Sequence, residues 1–540
     1  MSDGPLRIYD TTLRDGAQAE GVNFTSEDKV AIARRLDAFG MDLIEGGWPG
    51  SNPKDIEFFE RMRDVPLLQA RLAAFGSTCR RGVEAEDDEN LQALLAVGTP
   101  VVTVFGKAWT LHVSEALGAG LDENLSMIRR SVELLKTHGR EVIYDAEHFF
   151  DGYAADSAYA LATLSAALEG GADTLVLCDT NGGTLPGTVE RLVREARELF
   201  PLPIGIHAHN DSELAVANTL AAVDAGVGHV QGTVNGYGER CGNANLISVL
   251  PNLALKLNRP QPQAMTALRE LSRFVDERAN LPPNVRAPFV GDAAFAHKGG
   301  VHVSAVNKRP DTYEHIDPEA VGNRRRILLS ELSGRANVLA KSVEFGESIG
   351  AMDPSTREVV ARLKELEHRG YSFEGAEASF QLLSRKVRGD YRPYFTLHGF
   401  SVLMDKREGE SEPSCQAVIK VEVGGVLEHT ASVGHGPVNA LDRALTKALS
   451  RFYPSVGELR LVDYKVRVLD GTQTGTAAVV RVQLEITDGH DSWGTVGASS
   501  DIIDASYEAL LDAIEYKLLK DGTAPREGVA PADRIADGIA

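Results

Sequence analysis

Short apolar runs alternate with longer amphipathic stretches through the first 240 residues. The apolar runs are LRIYDTTL (6–13), LIEGG (43–47), RLAAFGST (71–78), VVTVFGK (101–107), EVIYDAEH (141–148), TLVLCDTN (174–181), PIGIHAHN (203–210) and HVQGTVN (229–235). Between them lie stretches with helical periodicity, such as SEDKVAIARRLDAFG and VERLVREARELF. A strand–helix unit repeated eight times over about 250 residues predicts a (β/α)8 TIM barrel. The rival arrangement is a doubly wound open sheet. The barrel is favoured because nearly every strand ends in a polar or reactive residue, and barrel enzymes build their sites at that end.

The pattern then changes twice. Residues 276–392 read as helical linker subdomains that contribute to the active site, with helical periodicity in STREVVARLKELEHRG; QPQAMTALRELSRFVDER shows the same pattern across their start. AFAHKGGVHVSAVNKRPDTYEHIDP has no clear period. Residues 393–522 read as an α+β domain with an internal duplication. CQAVIKVEVGGVLEHTASVG predicts strands joined by a Gly-Gly turn, followed by the helix PVNALDRALTKALSRF. KVRVLD, AAVVRVQLEITDG and SWGTVGASS then lead to a second helix, DIIDASYEALLDAIEYKLL. The Val433-Gly434 pair before the first helix recurs as Val496-Gly497 before the second. The barrel is assigned residues 1–275, and residues 523–540 read as a disordered tail.

Composition narrows the function. A length of 540 residues exceeds a single core. A net charge of −21 argues against a nucleic-acid partner. The four cysteines are widely spaced and form no CxxC pair, which fits a reducing compartment. No apolar run approaches a membrane span and no signal peptide is evident, so the expectation is a cytoplasmic protein.

The candidate chemistry lies at the strand ends. His207 and His209 alternate along an extended segment and so share a face, which makes half a metal site. The competing reading is a pair of histidines bonded to neighbouring loops. In a closed barrel the eighth strand lies beside both the seventh and the first. Asp15, the histidine pair and the loop Asn235–Asn243 then converge on one arc of the rim, where Asn243 can lend a carbonyl oxygen. Two nitrogens and two oxygens suit Zn²⁺, Mn²⁺, Co²⁺ or Mg²⁺ and leave room for a chelating substrate. Asp15 alone also fits an Asp-Gly turn. Glu147, among apolar and aromatic neighbours, suits proton transfer; the alternative is a salt bridge to a rim arginine such as Arg14. Thr180 suits a substrate carboxylate or, equally, a helix cap.

TTLRDGAQ, HAHND and NGYGERCGNANL together resemble the metal-dependent α-isopropylmalate synthase and homocitrate synthase family, which condenses acetyl-CoA with a 2-oxo acid. The resemblance extends over the barrel, the HKGGVH segment and the duplicated module, which looks like the allosteric domain of these enzymes. EGGWPGSNPKD, FGKAWTLHV and YDAEHFFDGY look most like the branch that uses pyruvate. The resemblance implies Asp15, His207, His209 and Asn243 as ligands of a divalent metal, and Arg14 as the group that polarises the substrate carbonyl. It implies Glu147 and Thr180 at the oxo acid, and His302 and Tyr313 in acetyl-CoA activation, supplied in some members by the partner subunit. It also implies a homodimer and an amino-acid end product, isoleucine, as effector at the C-terminal domain. The alternatives are a member using another 2-oxo acid, a carbon–carbon lyase on the same barrel, and a non-catalytic amino-acid sensor.

Overall fold

Each of the eight expected strands forms: β1 Arg7–Asp10, β2 Leu43–Gly47, β3 Arg71–Ser77, β4 Val101–Lys107, β5 Glu141–Glu147, β6 Thr174–Asp179, β7 Ile204–Ala208 and β8 His229–Gly232. The structure is a computed structural model that describes residues 6–259, 264–329, 333–345, 353–406, 408, 412–469 and 475–527. The strands pair in parallel in chain order, and β1 pairs with β8, with Arg7 opposite His229 and Asp10 opposite Gly232. That last pairing closes the sheet and excludes the open doubly wound arrangement.

Burial on both faces explains why these strands read as apolar runs. Tyr9, Leu43, Ala73, Val101, Ile143 and Val176 meet inside the barrel. Their sequence neighbours Ile8, Ile44, Ala74, Val102, Val142 and Leu175 point outward into the layer shared with the helices. The first helix, Ser26–Phe39, shows how the turns are fixed. Thr25 and Asp28 form a capping box at its start, and Gly40 at φ 99° ends it in the left-handed region.

The chain divides into two compact units. One holds the barrel and runs to residue 295, with residues 314–325 added back; the other holds 296–313 and the chain from 326 on. The second unit contains a two-stranded parallel pair, β9 Ala296–His297 and β10 Arg326–Ile327. Its helices include Gly300–Lys308, Arg335–Glu344, Ser355–His368 and Glu377–Arg388. The first of these lies where the sequence shows no period. It buries only Val303 and Val306, too few apolar positions to set a pattern.

The duplication is present. Strands β11 Thr396–Asp405, β12 Ser414–Val423 and β13 Val426–Gly434 form an antiparallel sheet, followed by the helix Pro437–Ser450. Strands β14 Arg460–Val468, β15 Val480–Thr487 and β16 Ser492–Ser499 form another, followed by the helix Ile502–Lys520. β11 adds to the strands the sequence marked. Gly424 and Gly425, at φ 58° and 78°, make the expected tight turn between β12 and β13. Leu441 and Leu445 of one helix share a core with Leu510 and Ile514 of the other. Of the expected tail, residues 528–540 lie outside the described residues.

Candidate metal centre at the barrel rim

His207 is the penultimate residue of β7, and His209 follows the strand, held by its N–H donating to the Asp179 carbonyl at 3.1 Å. Their rings lie 5.2 Å apart, centre to centre. Asp15 approaches from the loop after β1, with its carboxylate 3.5 Å from His207 Nε2. The ligand atoms of Asp15, His207 and His209 lie within 4.8 Å of one another, and all three residues are buried. Asp15 stands where a short helical turn begins, yet its side chain caps nothing, so its carboxylate is left for the site.

The fourth candidate arrives through the loop after β8. His209 and Asn243 form an isolated antiparallel bridge, and the Ala244 N–H donates to the Ala208 carbonyl at 2.9 Å. Two glycines make this close approach feasible. A Cβ on Gly242 (φ 87°) would sit 1.9 Å from the Gly236 carbonyl oxygen. A Cβ on Gly238 (φ 153°) would sit 2.2 Å from Asn243 Nδ2. Asn243 Nδ2 donates to the Tyr237 carbonyl at 3.1 Å, while Asn243 Oδ1 and His209 Nδ1 are buried with no protein partner. Buried polar atoms without partners are costly. Here they stand beside Asp15 and His207, and this donor set of one carboxylate, two imidazoles and one amide oxygen fits a divalent cation.

A residue that sequence reasoning passed over fixes the His207 ring. Gln231 on β8 donates from Nε2 to Asp145 Oδ1 at 3.0 Å, so its Oε1 faces His207 Nδ1 at 2.9 Å and accepts from it. The Nε2 lone pair of His207 is thereby turned toward Asp15. Such outer partners orient metal-ligating histidines. Gln231 and Asp145 carried no signal in the sequence because they sit inside strands that read as barrel core.

Electrostatics favour the unprotonated form of each candidate ligand. Burial pushes His207 down to about 3, and also lowers His209. Burial alone would raise Asp15, but Arg14, then His207 and His209, outweigh it and hold its carboxyl below the usual range. All three are therefore in their metal-binding forms at neutral pH.

Arg14 does not bridge to Glu147, the arrangement set against proton transfer. Its Nε donates to Glu45 Oε1 at 2.6 Å, its Nη1 lies 3.2 Å from Asp15, and its guanidinium lies 3.6 Å from the centre of the Phe75 ring. Glu45, midway along β2, the strand beside β1, is nearer than Glu147 on β5. It also accepts from Thr11 at 2.5 Å and from the Tyr9 hydroxyl, so it is the anchor. Glu147 pairs with Lys107 at the end of the neighbouring β4. The Thr180 hydroxyl accepts from the His148 N–H at 2.9 Å and retains its own proton to donate.

Arg14, Asp15, Glu147, Thr180, His207 and His209 line one cavity of about 190 Å³, whose walls include Trp48, Phe75 and Phe105. His302 and Tyr313 belong to the second unit, where both are exposed and their rings stack at 4.1 Å.

Comparison with known proteins places the chain in a family. The HMGL-like family matches residues 5–275, the homocitrate synthase post-HMGL domain 289–371, and the LeuA allosteric (dimerisation) domain 374–518. The chain belongs to the HMGL-like family, within its α-isopropylmalate synthase and homocitrate synthase group. It is 55% identical over 517 residues to the (R)-citramalate synthase of Geobacter sulfurreducens, covering 95% of this chain and 98% of that one. It is 53% identical over 518 residues to the enzyme of the same name from Aquifex aeolicus, again covering 95% and 98%. A probable 2-isopropylmalate synthase from Methanopyrus kandleri is 34% identical over 513 residues, covering 94% and 97%.

Proposed function

We propose that this chain is an enzyme that condenses acetyl-CoA with pyruvate, giving (R)-citramalate and CoA. Near-full-length identity of 46–55% to several (R)-citramalate synthases carries this reading. The buried Asp15–His207–His209 group supports it. A divalent metal held by Asp15, His207, His209 and Asn243 would supply Lewis acidity at the ketone and carboxylate oxygens of pyruvate.

The chain's own groups supply the rest. Arg14, fixed by Glu45 and by the Phe75 face, directs a charge-assisted donor at the ketone oxygen, where negative charge develops. The Thr180 hydroxyl binds the carboxylate of the oxo acid. In this reading His302 takes a methyl proton from acetyl-CoA, with Glu147 and Tyr313 in support. The resulting carbon nucleophile adds to the ketone carbon, and water then cleaves the thioester, releasing CoA thiol. The interlocked rings of Trp48, Phe75 and Phe105 leave a small pocket, which suits pyruvate over branched or longer 2-oxo acids.

The second unit is read as linker subdomains up to residue 392 and a regulatory domain over 393–522, acting in a cytoplasmic homodimer. A mostly apolar cavity of about 280 Å³ lies in it, lined by Val438, Leu461, Leu484 and Ile514 with Asn439 and Asp442. An apolar amino acid such as isoleucine suits this lining, its ammonium facing Asp442. The helix Pro437–Ser450 beginning there has no side-chain cap, whereas Asp501 already caps the helix Ile502–Lys520. Only the first end therefore has N–H groups left for a ligand carboxylate.

Thiol release from acetyl-CoA, measured across pyruvate, 2-oxobutanoate, 2-oxoisovalerate and 2-oxoglutarate, tests the function. Metal-dependent release greatest with pyruvate is expected; release no greater than background with pyruvate overturns the assignment.

A further inference from the structure

We propose that Asn90, which does not line the oxo-acid cavity, sets that cavity's size by locking the Trp48 indole, and is a positioning residue for substrate selection. The inference rests on the reading of the cavity as the oxo-acid site.

Three rings form the wall. Phe75 and Phe105 stack at 5.4 Å. The Trp48 indole meets both edge-on, at 5.8 Å and 5.6 Å. Phe75 also carries the Arg14 guanidinium on its face, so movement of the wall reaches the group aimed at the substrate. An indole has only its N–H to pin its orientation beyond packing. That N–H donates to Asn90 Oδ1 at 2.6 Å.

The amide of Asn90 has no freedom to turn over. Its Nδ2 donates to the Ser77 carbonyl at 2.7 Å, and a carbonyl can only accept. Its backbone is fixed as well, because the buried Asp88 caps the helix Glu89–Val97 and accepts from the Asn90 N–H at 3.0 Å. Two glycines clear the space it occupies. A Cβ on Gly50 would lie 2.8 Å from Asn90 Oδ1, and one on Gly76 would lie 2.9 Å from the same atom. Neither glycine has a positive φ, so both serve close approach rather than an unusual backbone. The Trp48 backbone N–H, in turn, donates to Asp55 Oδ2 at 2.8 Å. Trp48 is therefore held at its backbone by one helix and at its ring by another.

Without the Asn90 acceptor the indole can swing, and the wall yields space for one more methylene. A methylene in an apolar pocket is discriminated by about 10–200-fold. The test uses full-length Asn90→Leu and Asn90→Ser variants, assayed by thiol release with pyruvate and 2-oxobutanoate. Both variants are expected to lower the pyruvate:2-oxobutanoate ratio of kcat/KM by about tenfold or more, mainly through a lower KM for the longer acid. In a Trp48→Phe background, which lacks the N–H, Asn90→Ser is expected to change the ratio by less than twofold. A ratio within twofold of wild type in folded Asn90→Ser overturns the inference, as does an equal effect in the Trp48→Phe background. Wild type that fails to turn over pyruvate instead overturns the functional reading itself, so the two failures are distinct.

Discussion

Replacing Gln231 by leucine isolates what the structure assigns to a residue two bonds from the site. Leucine fills nearly the same space but offers no acceptor to His207 Nδ1 and no donor to Asp145, the partners now at 2.9 Å and 3.0 Å. The His207 N–H would be left buried without a partner, at a cost of about 1–3 kcal/mol, and the ring would be free to present the wrong nitrogen to Asp15. Loss of such an outer partner lowers metal affinity about 10–100-fold. Titration of the metal-free protein with Mn²⁺, read by the free-ion electron paramagnetic resonance signal, measures the dissociation constant without needing turnover. Gln231→Glu keeps an acceptor for the imidazole. Burial holds the neighbouring Asp145 carboxyl well above its ordinary value, so it can donate a proton to the new carboxylate. This variant is expected to bind Mn²⁺ within about fivefold of wild type, well short of the 10–100-fold loss. A Gln231→Leu protein that folds and binds Mn²⁺ within threefold of wild type would falsify the orienting role.

Other expectations follow from the same geometry. His207→Ala should abolish turnover and most metal binding while far-ultraviolet circular dichroism stays that of the folded barrel; unchanged turnover refutes the site. Arg14→Lys replaces a fork held by Glu45, Asp15 and Phe75 with a point charge, and kcat should fall about 10²–10³-fold, a loss under fivefold being contrary. Burial lowers His207 to about 3 and His209 below its ordinary 6.5, and Asp15 is also lowered, so all are deprotonated at pH 7. Metal uptake at pH 7, followed calorimetrically in buffers of different ionisation enthalpy, should release almost no protons, and affinity should stay flat from pH 8 to 6; release near one proton per metal contradicts the depressed values. Gly242→Ala places a Cβ 1.9 Å from the Gly236 oxygen at a left-handed backbone position, costing about 1–2 kcal/mol for the backbone alone. It should weaken Mn²⁺ binding by displacing Asn243, an effect absent if Asn243 is no ligand.

The sequence showed those parts of the site that sit where patterns break. His207, His209, Asp15 and Asn243 interrupt or follow apolar runs, and counting strands was enough to bring them together, because closure makes β8 the neighbour of β1. Gln231 and Asp145 were hidden for the opposite reason. They lie within strands, and a polar residue inside a barrel reads as core until its partners are seen. Arg14 illustrates the limit: its charge pointed to a carboxylate partner, but only the strand order, with β2 beside β1 and β5 across the barrel, decides for Glu45 over Glu147. Trp48 stood out as a distinctive motif. What holds it, Asn90, comes from the next βα unit, and no local pattern links the two.

The charge balance of the cavity bears on which 2-oxo acid the site accepts. Asp15 supplies the single charge of the donor set, since both imidazoles are kept neutral by burial and Asn243 is an amide. A divalent cation there leaves one positive charge in excess, matching a substrate with one carboxylate. A second carboxylate would need a further cation. The cationic side chains among the lining residues are already paired, Arg14 with Glu45 and Asp15, and Arg240 with Asp211 at 2.7 Å. The aromatic part of the wall, Trp48, Phe75 and Phe105, would strip water from a second carboxylate and return no partner. The same wall that limits chain length therefore also disfavours a dicarboxylic acid such as 2-oxoglutarate, by desolvation rather than by size. Raising the charge by Trp48→Arg should accordingly improve kcat/KM for 2-oxoglutarate relative to 2-oxoisovalerate, and no change in that ratio would mean that size alone excludes it.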